Sequence, residues 1–243
     1  SKAFGSLEEG ISRLEADPHP NRLTLSTLPS FASRWLVPRL GRFQDQADNM
    51  TIHLSPGLKL DSFENNDLDL AIRYGLGNYP GLSSRLLLKD FLLPVCHPSL
   101  IDNSAPVKEQ LQRLPLLIDD APDMAQLWPE YEQALGVSPD SQKSRLQVTD
   151  STILVEALIS AQGLSILRYS LVYELLERGI LICPVPLFHP TAYDFFLVAP
   201  EHHFQRAKVQ QFCHWIEQEV RIIKTSGQAF RQAATTGLYT PDD

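Results

Sequence analysis

The apolar and polar positions between residues 22 and 43 change their period halfway. Leu23 and Leu25 alternate with polar neighbours, which predicts a short strand. From Phe31 onward, apolar residues recur at steps of three to five, as they do on one face of a helix. The residues between the two patterns are Thr27, Pro29 and Ser30. Residues of these types cap helix starts, and the backbone N–H groups left there attract anions, although most such starts bind nothing.

The rest of the chain continues this alternation of strands and helices. Apolar runs predict strands at 50–54, 68–74, 86–88, 91–96, 116–118, 145–148, 164–167, 180–183 and 195–198. Helical spacing predicts helices at 107–114, 124–135, 153–161, 171–176 and 204–224. The polar residues 149–152 form a second strand-to-helix junction like the first. This order predicts an α/β fold with mainly parallel pairing, in which ligands bind where strand ends meet helix starts.

Two predicted strand ends are followed by proline, at 95–98 and at 198–200. We interpret them as the two crossings of a hinge between two Rossmann-like lobes. The first lobe would contain residues 20–98 and 200–225, and the second would contain residues 99–199. Residues 1–19 begin with an amphipathic helix that prolines end, either the end of a linker helix or a surface helix. Residues 226–243 are predicted to be a flexible tail or an interaction arm.

Two stretches carry a family resemblance, LPSFASRWLVPRLGRFQ at 28–44 and DLDLAIRYGLG at 67–77. They resemble the effector-binding domain of LysR-type transcriptional regulators, in the branch of glycine-cleavage and β-lactamase regulators. Matching stretches follow in order at 150–164, 179–186 and 195–200. The resemblance implies a fold like that of type 2 periplasmic binding proteins, with a small effector between the lobes.

The resemblance also implies partners. Regulatory domains of this family pair side by side, so a homodimer is expected, with a tetramer as the larger assembly of the full-length regulator. Family members begin with a winged helix-turn-helix, and nothing in this chain resembles one. We therefore expect DNA to be bound only through an absent amino-terminal domain, whose binding and transcriptional output the effector would control.

The two strand-to-helix junctions and the family resemblance together predict an effector site. It would comprise the two helix starts, the turn after the second strand and the second crossing. The predicted effector-binding residues are Thr27, Ser30, Phe31, Ser55, Gly57, Ser151, Thr152 and Tyr193. Because helix starts offer N–H donors and a partial positive charge, we expect the effector to be anionic.

Composition limits the other classes of function. Twenty-nine acidic residues against 21 Lys and Arg give a formal net charge of −8, which disfavours DNA binding by this chain itself. Neither a membrane-spanning run nor a signal peptide is visible, so no membrane partner is expected and the predicted location is cytoplasmic. The three cysteines, Cys96, Cys183 and Cys213, lie far apart in apolar or helical runs, which indicates reduced core thiols.

Catalytic signatures such as GxSxG, the P-loop, GxGxxG and HExxH are absent. His202, His203 and His214 are poorly spaced for a metal, so no metal, cofactor or catalytic residue is predicted. Asp67, Asp69 and Arg73 are expected to form salt-bridged scaffolding. Two alternatives stay open: a free-standing solute-binding protein of the same two-lobed fold, and an enzyme built on two such lobes.

Overall fold

A computed structural model describes residues 17, 19–47, 49–59, 62–64, 67–121, 124, 128–137 and 146–235. The helix predicted before residue 17 lies outside the described residues, as does the end of the chain after residue 235. The predicted alternation of strands and helices is otherwise present, with differences at particular elements that are given below.

The strands β1 to β10 are Arg22–Thr27, Thr51–Pro56, Leu70–Gly75, Ser83–Leu88, Phe91–Cys96, Leu116–Asp119, Leu146–Val148, Leu164–Arg168, His189–Pro190 and Asp194–Ala199. The first helix, α1, comprises an α-helical turn Pro29–Phe31, a π-helical segment Ala32–Leu36 and an α-helical segment Val37–Gln44. The helices α2 to α6 are Val107–Leu111, Trp128–Leu135, Ser151–Ile159, Tyr169–Glu177 and Ala207–Thr235. Short 3₁₀ helices cover Pro98–Leu100 and Glu201–Gln205.

The described strands form two five-stranded sheets. The first sheet has the order β2-β1-β3-β10-β4, and the second has the order β7-β6-β8-β5-β9. In the first sheet β1 pairs in parallel with β2 and β3, whereas β10 is antiparallel to its neighbours. The second sheet repeats this arrangement, with β6 parallel to β7 and β8, and β5 antiparallel to its neighbours. Both sheets are therefore half parallel and half antiparallel, rather than mainly parallel as the sequence suggested.

The two crossings between the sheets lie earlier than the sequence suggested. Strand β5 pairs with β8 in the second sheet, and β10 pairs with β3 in the first. The chain therefore crosses at Lys89–Asp90 and at 191–193, and the prediction that residues 91–96 belong to the first lobe and 194–199 to the second is wrong. Both strands read as apolar runs, and the sheet that each one joins depends on hydrogen-bond partners far away in the sequence.

Two further predictions of local structure differ from the structure. The run at 180–183 forms only an isolated bridge between Cys96 and Ile182, not a strand. Helix α6 continues to Thr235, so the tail predicted from residue 226 begins with ten helical residues. The residues that follow, 236–243, are not described.

Helix α1 anchors the first lobe through its buried aromatic residues. Phe31, Trp35 and Phe43 are all fully buried, and Phe31 contacts Trp35 at a ring-centroid distance of 4.9 Å. The π-helical segment precedes Pro38, which has no N–H to continue the α-helical hydrogen bonds. Burying each aromatic side chain contributes about 1.5–3 kcal/mol, which holds the start of α1 firmly at the end of β1.

Candidate functional site

A cavity of about 280 Å³ lies between the two sheets. The first lobe contributes Leu28, Ser30, Leu58 and Tyr74. The second lobe contributes Asp119, Asp120, Ala121, Thr149, Asp150, Ser151 and Arg168, and Tyr193 belongs to the second crossing. A ligand in this cavity would contact both lobes and the hinge at once.

The lining follows from the parallel halves of the two sheets. Parallel strands present their carboxyl ends at one edge, where the chain turns away and leaves room for a ligand. All six parallel strands supply a lining residue within two residues of their ends. These residues are Leu28 after β1, Leu58 after β2, Tyr74 in β3, Asp119 in β6, Thr149 after β7 and Arg168 in β8.

A buried ionic network forms the floor of the cavity in the second lobe. The Ser151 hydroxyl donates to Asp119 Oδ2 at 2.5 Å and accepts from Arg168 Nη1 at 3.0 Å. Arg168 Nη1 lies 3.8 Å from Asp119 Oδ2, and both side chains are almost completely buried. The Arg168 guanidinium also lies 4.2 Å from the ring centroid of Tyr74 in the first lobe. Arg168 therefore connects the two lobes across the cavity floor.

The two helix starts differ in what they offer a ligand. Helix α1 begins with Pro29 after Leu28, and no side chain caps it. Because first-turn N–H groups have no partner within the helix, those of Ser30 and Phe31 are not used by α1 itself. Helix α4 is capped by Asp150, whose Oδ1 accepts from the Thr152 N–H at 2.9 Å. The start of α4 already carries an anion, so it has less positive charge to offer.

Of the eight predicted site residues, Ser30, Ser151 and Tyr193 line the cavity. The other five, Thr27, Phe31, Ser55, Gly57 and Thr152, do not belong to its lining. Thr27 and Phe31 are completely buried, Ser55 is exposed on the outer strand β2, and Gly57 donates its N–H to the Thr27 carbonyl. The sequence located the junctions correctly, but it could not tell which side of each turn faces the other lobe.

Sequence reasoning missed several lining residues, above all Tyr74, Asp119, Asp120 and Arg168. A signal for them was present, because each one lies within two residues of the end of a predicted strand. Applying the strand-end rule to every strand, rather than only to the two polar junctions, would have selected these positions.

The charges around the cavity are mainly negative. Among the described lining residues, Asp119, Asp120 and Asp150 face one cation, Arg168, which already contacts Asp119. Arg34 is not in the lining and instead pairs with Glu156 at 3.6 Å. Tyr74 and Tyr193 add an aromatic wall, with ring centroids 5.6 Å apart. This environment favours a ligand that carries a positively charged group near these carboxylates.

A larger cavity of about 700 Å³ lies near the amino-terminal ends of β1 and β3. Its central carboxylate, Asp69, accepts from Arg206 at 2.8 Å and lies 2.9 Å from Lys208 Nζ. Asp67 pairs with Arg22, and Arg73 donates to Ser26 Oγ at 2.6 Å. The ion pairs of Asp67 and Asp69 agree with the expected salt-bridged scaffolding, whereas the contact described for Arg73 is a hydrogen bond to a hydroxyl.

The remaining reactive groups have structural partners. Burial raises the pKa of the Cys96 and Cys213 thiols to about 12 and raises that of Cys183 further still. All three cysteines are buried and free, as expected of core thiols. His203 Nδ1 donates to the Asp69 carbonyl at 2.9 Å. Within the described residues, no three His, Cys, Asp or Glu side chains come together as metal ligands could.

None of the described helices is both long enough and apolar enough to cross a bilayer.

Comparisons with known proteins agree with this architecture. The LysR substrate binding domain family matches residues 16–221. The glycine cleavage system transcriptional activator of Escherichia coli (strain K12) is 31% identical over 215 residues, which are 88% of this chain and 70% of that protein. The effector domain of the transcriptional regulator AmpR of Pseudomonas aeruginosa superimposes with a TM-score of 0.65 at 21% identity, over 83% of this chain and 96% of that one.

A second solved structure gives the same result. The regulatory domain of CrgA, a LysR-type transcriptional regulator from Neisseria meningitidis, has a TM-score of 0.61 at 18% identity and covers 82% of this chain and 98% of that one. At such identities the likeness shows the fold alone. The predicted two-lobed fold of the periplasmic-binding-protein type is thereby confirmed.

Proposed function

Because the chain belongs to the LysR substrate-binding domain family and is an effector-binding domain of a LysR-type transcriptional regulator, we propose that it binds a small effector in the cavity between its two sheets. The single observation that carries this proposal is the cavity lining, which combines both lobes and the second crossing. A ligand that contacts both lobes binds the closed arrangement better than the open one, and this difference shifts the population toward closure.

The volume of the cavity limits the size of the effector. Ligand pockets usually measure about 300–1,000 Å³, so a cavity of about 280 Å³ favours a small metabolite. A small effector reaches both lobes only if the lobes lie close together. The affinity for the effector therefore depends on the angle between the lobes.

The charges refine the prediction of an anionic effector. In the part of the lining that the structure describes, a purely anionic ligand would meet the carboxylates of Asp119, Asp120 and Asp150 and the single guanidinium of Arg168. We therefore propose a dipolar effector, with a carboxylate directed to the start of α1 and an amino group directed to Asp120 and Asp150. Hydrogen bonds to charged groups contribute about 1.5–3 kcal/mol each, so the amino group would outweigh the residual repulsion.

Thermal unfolding with matched sets of compounds tests this proposal. Each set contains an α-amino acid, the carboxylic acid that lacks its amino group, and the amide that lacks its carboxylate. We expect only the dipolar member to raise the melting temperature strongly, since a ligand at about one hundred times its Kd adds about 2.7 kcal/mol of stability. Equal stabilisation by the carboxylic acid alone would contradict the role of the amino group.

A site variant provides the control for that experiment. Ser151→Ala removes a hydroxyl from the cavity floor, whereas Ser55→Ala removes one from the exposed outer strand. Stabilisation by the effector should fall in the first variant and persist in the second. If both variants responded like the unmodified chain, the effector would bind outside the cavity.

The regulatory consequences belong to the same proposal. In a full-length regulator, closure on the effector would be passed to a DNA-binding domain through a two-fold dimer, with a tetramer as the larger assembly, in the cytoplasm. Support comes from the relatives, which are named as transcriptional activators and regulators. The alternative of a free-standing solute-binding protein is not favoured, because named relatives of this chain are regulators rather than binding proteins or enzymes.

A further inference from the structure

Helix α6 packs on the first lobe along its first half. The rings of Phe212 and Trp215 lie 5.4 Å and 5.2 Å from that of Phe43 in α1. Glu219 accepts from Arg42 of α1 at 2.6 Å. This half of the helix is an ordinary component of the first lobe.

After residue 225 the same helix packs on the second lobe. The Ser226 hydroxyl lies 2.7 Å from Tyr169 Oη and donates to Glu177 Oε1 at 2.6 Å, both in α5. The Phe230 ring lies 5.5 Å from Tyr169 and 5.8 Å from Phe188. One continuous helix is therefore fastened to both lobes.

The contacts with the second lobe lie beside the hinge. Phe91 is the first residue of β5 after the first crossing, and the Arg231 guanidinium lies 4.6 Å from its ring centroid. Phe188 comes directly before β9, which leads into the second crossing. Rotation of one lobe against the other would have to bend this helix or separate it from these aromatic rings.

Gly227 shows how closely the helix approaches the second lobe. A Cβ atom at this position would lie 3.1 Å from Phe91 and 3.2 Å from Tyr169, and the residue is buried. Glycine is the least favourable helix residue except proline. This close contact explains its presence within α6, because a Cβ atom would fit there only if the Phe91 and Tyr169 rings moved by a few tenths of an ångström.

The extension is also separate from the matched family domain, which ends at residue 221. The helix continues to Thr235, fourteen residues further. Helical stability in proteins comes mostly from tertiary packing, and the second lobe supplies packing contacts for this segment.

We propose that residues 226–235 form a strap that joins the two lobes and sets the angle between them when no effector is bound. This proposal goes beyond the effector site, because it concerns the lobes themselves and holds whatever ligand the cavity takes. With the strap docked, the lobes keep one preferred angle. With the strap released, they sample a wider range, and the cavity loses its fixed width.

Distance measurements between spin labels on the two lobes test the proposal without an effector. The labels are placed at Thr51→Cys in β2 and Gln147→Cys in β7, which are exposed, whereas the native cysteines are buried and unreactive. The strap is released by Gly227→Leu, a change that improves helix propensity while wedging the helix away from Phe91 and Tyr169. The control is Gln228→Leu at the next, exposed position.

We expect a narrow distance distribution in the parent and in the Gln228→Leu control, and a shifted, broader one in Gly227→Leu. A chain that ends at Thr225 should show the same broadening, with circular dichroism verifying that both variants remain folded. An unchanged distribution in the folded Gly227→Leu variant and in the shortened chain would overturn the proposal. Because no effector is present, this result is independent of whether the proposed dipolar ligand is correct.

Discussion

At the scale of single residues, the site depends on one buried guanidinium. Arg168 contacts Asp119, Ser151 and the Tyr74 ring, and it is only 5% exposed. Charges this deeply buried are tolerated only when they are paired and hydrogen-bonded. The network therefore serves two purposes. It compensates the buried charge of Asp119, and it positions the cavity floor between the lobes.

Arg168→Met should destabilise the chain strongly, because it leaves Asp119 buried without its cation. Removing one partner of a buried pair costs about 3–5 kcal/mol. Arg22→Met is the matched control, since both side chains of the Arg22–Asp67 pair are exposed. Exposed pairs contribute about 0–1 kcal/mol to the free energy of unfolding. Chemical denaturation measures both losses, and similar values for the two variants would contradict the assigned burial.

His203 should make stability depend on pH. Burial lowers its pKa below the ordinary 6.5; the hydrogen bond to the Asp69 carbonyl opposes this, and the nearby Arg206 and His202 lower the pKa further. The unfolded chain then binds more protons below pH 6.5, so stability falls as the pH drops through this range toward the folded pKa. His203→Asn keeps a donor near the Asp69 carbonyl without titrating.

Urea denaturation at several pH values between neutral and mildly acidic checks this expectation. The parent should lose stability relative to His203→Asn as the pH falls, with the difference developing below the unfolded pKa. Parallel pH profiles for the two proteins would show that His203 titrates alike in the folded and unfolded states.

At the scale of elements, the two helix starts that face the cavity have separate tasks. Helix α1 begins with a proline and an uncapped first turn, which leaves donors available. Helix α4 begins with the Asp150 carboxylate on the Thr152 N–H, which satisfies the helix and adds negative charge to the cavity. The sequence predicted an anion site at both starts, and among the described residues a side-chain cap is present only at the second.

Two substitutions of Asp150 separate its role as a helix cap from the effect of its negative charge on the ligand. Asp150→Ala should cost about 0.5–2 kcal/mol of stability through loss of the cap. Asp150→Asn should cost little, because asparagine caps equally well, yet it should weaken a ligand that carries an amino group as much as alanine does. Thermal unfolding with and without ligand measures both effects, and undiminished ligand binding by Asp150→Asn would remove this carboxylate from the site.

At the scale of the whole molecule, charge and exposed apolar positions govern association. The net charge of −8 opposes binding to the phosphate backbone. Val37, Ile153 and Ile222 are each at least half exposed on three different helices, which leaves apolar surface for a second copy. Two-fold dimers are the commonest closed assembly of soluble chains.

This chain alone should not bind duplex DNA. Fluorescence anisotropy with a labelled duplex at low salt is the most permissive measurement, because electrostatic binding is strongest there. Submicromolar affinity that falls steeply with added salt would contradict the expectation.

The chain should self-associate into a dimer. Sedimentation equilibrium at high micromolar concentration should give a mass above that of one chain, and Val37→Asp or Ile153→Asp should reduce it if those helices form the contact. A monomer at every concentration would disprove self-association of this chain.

The order of strands and helices, the strand-to-helix junctions at Ser30 and Ser151 and the resemblance of 28–44 and 67–77 could all be obtained from the sequence. Local periodicity and capping depend on neighbours within a few residues, so one chain segment contains enough information to predict them. The same reasoning placed Ser30, Ser151 and Tyr193 at the cavity, because each lies at a junction or crossing.

The tertiary structure alone decided which sheet β5 and β10 join, that α6 extends past residue 225 and which charges surround the cavity. Strand pairing depends on partners far away in sequence, as when Leu92 meets Arg168. Helix α6 continues past residue 225 because the second lobe supplies aromatic rings for it to pack on. The cavity is acidic because the end of β6 and the start of α4 converge there, and electrostatics depends on distance through space rather than along the chain.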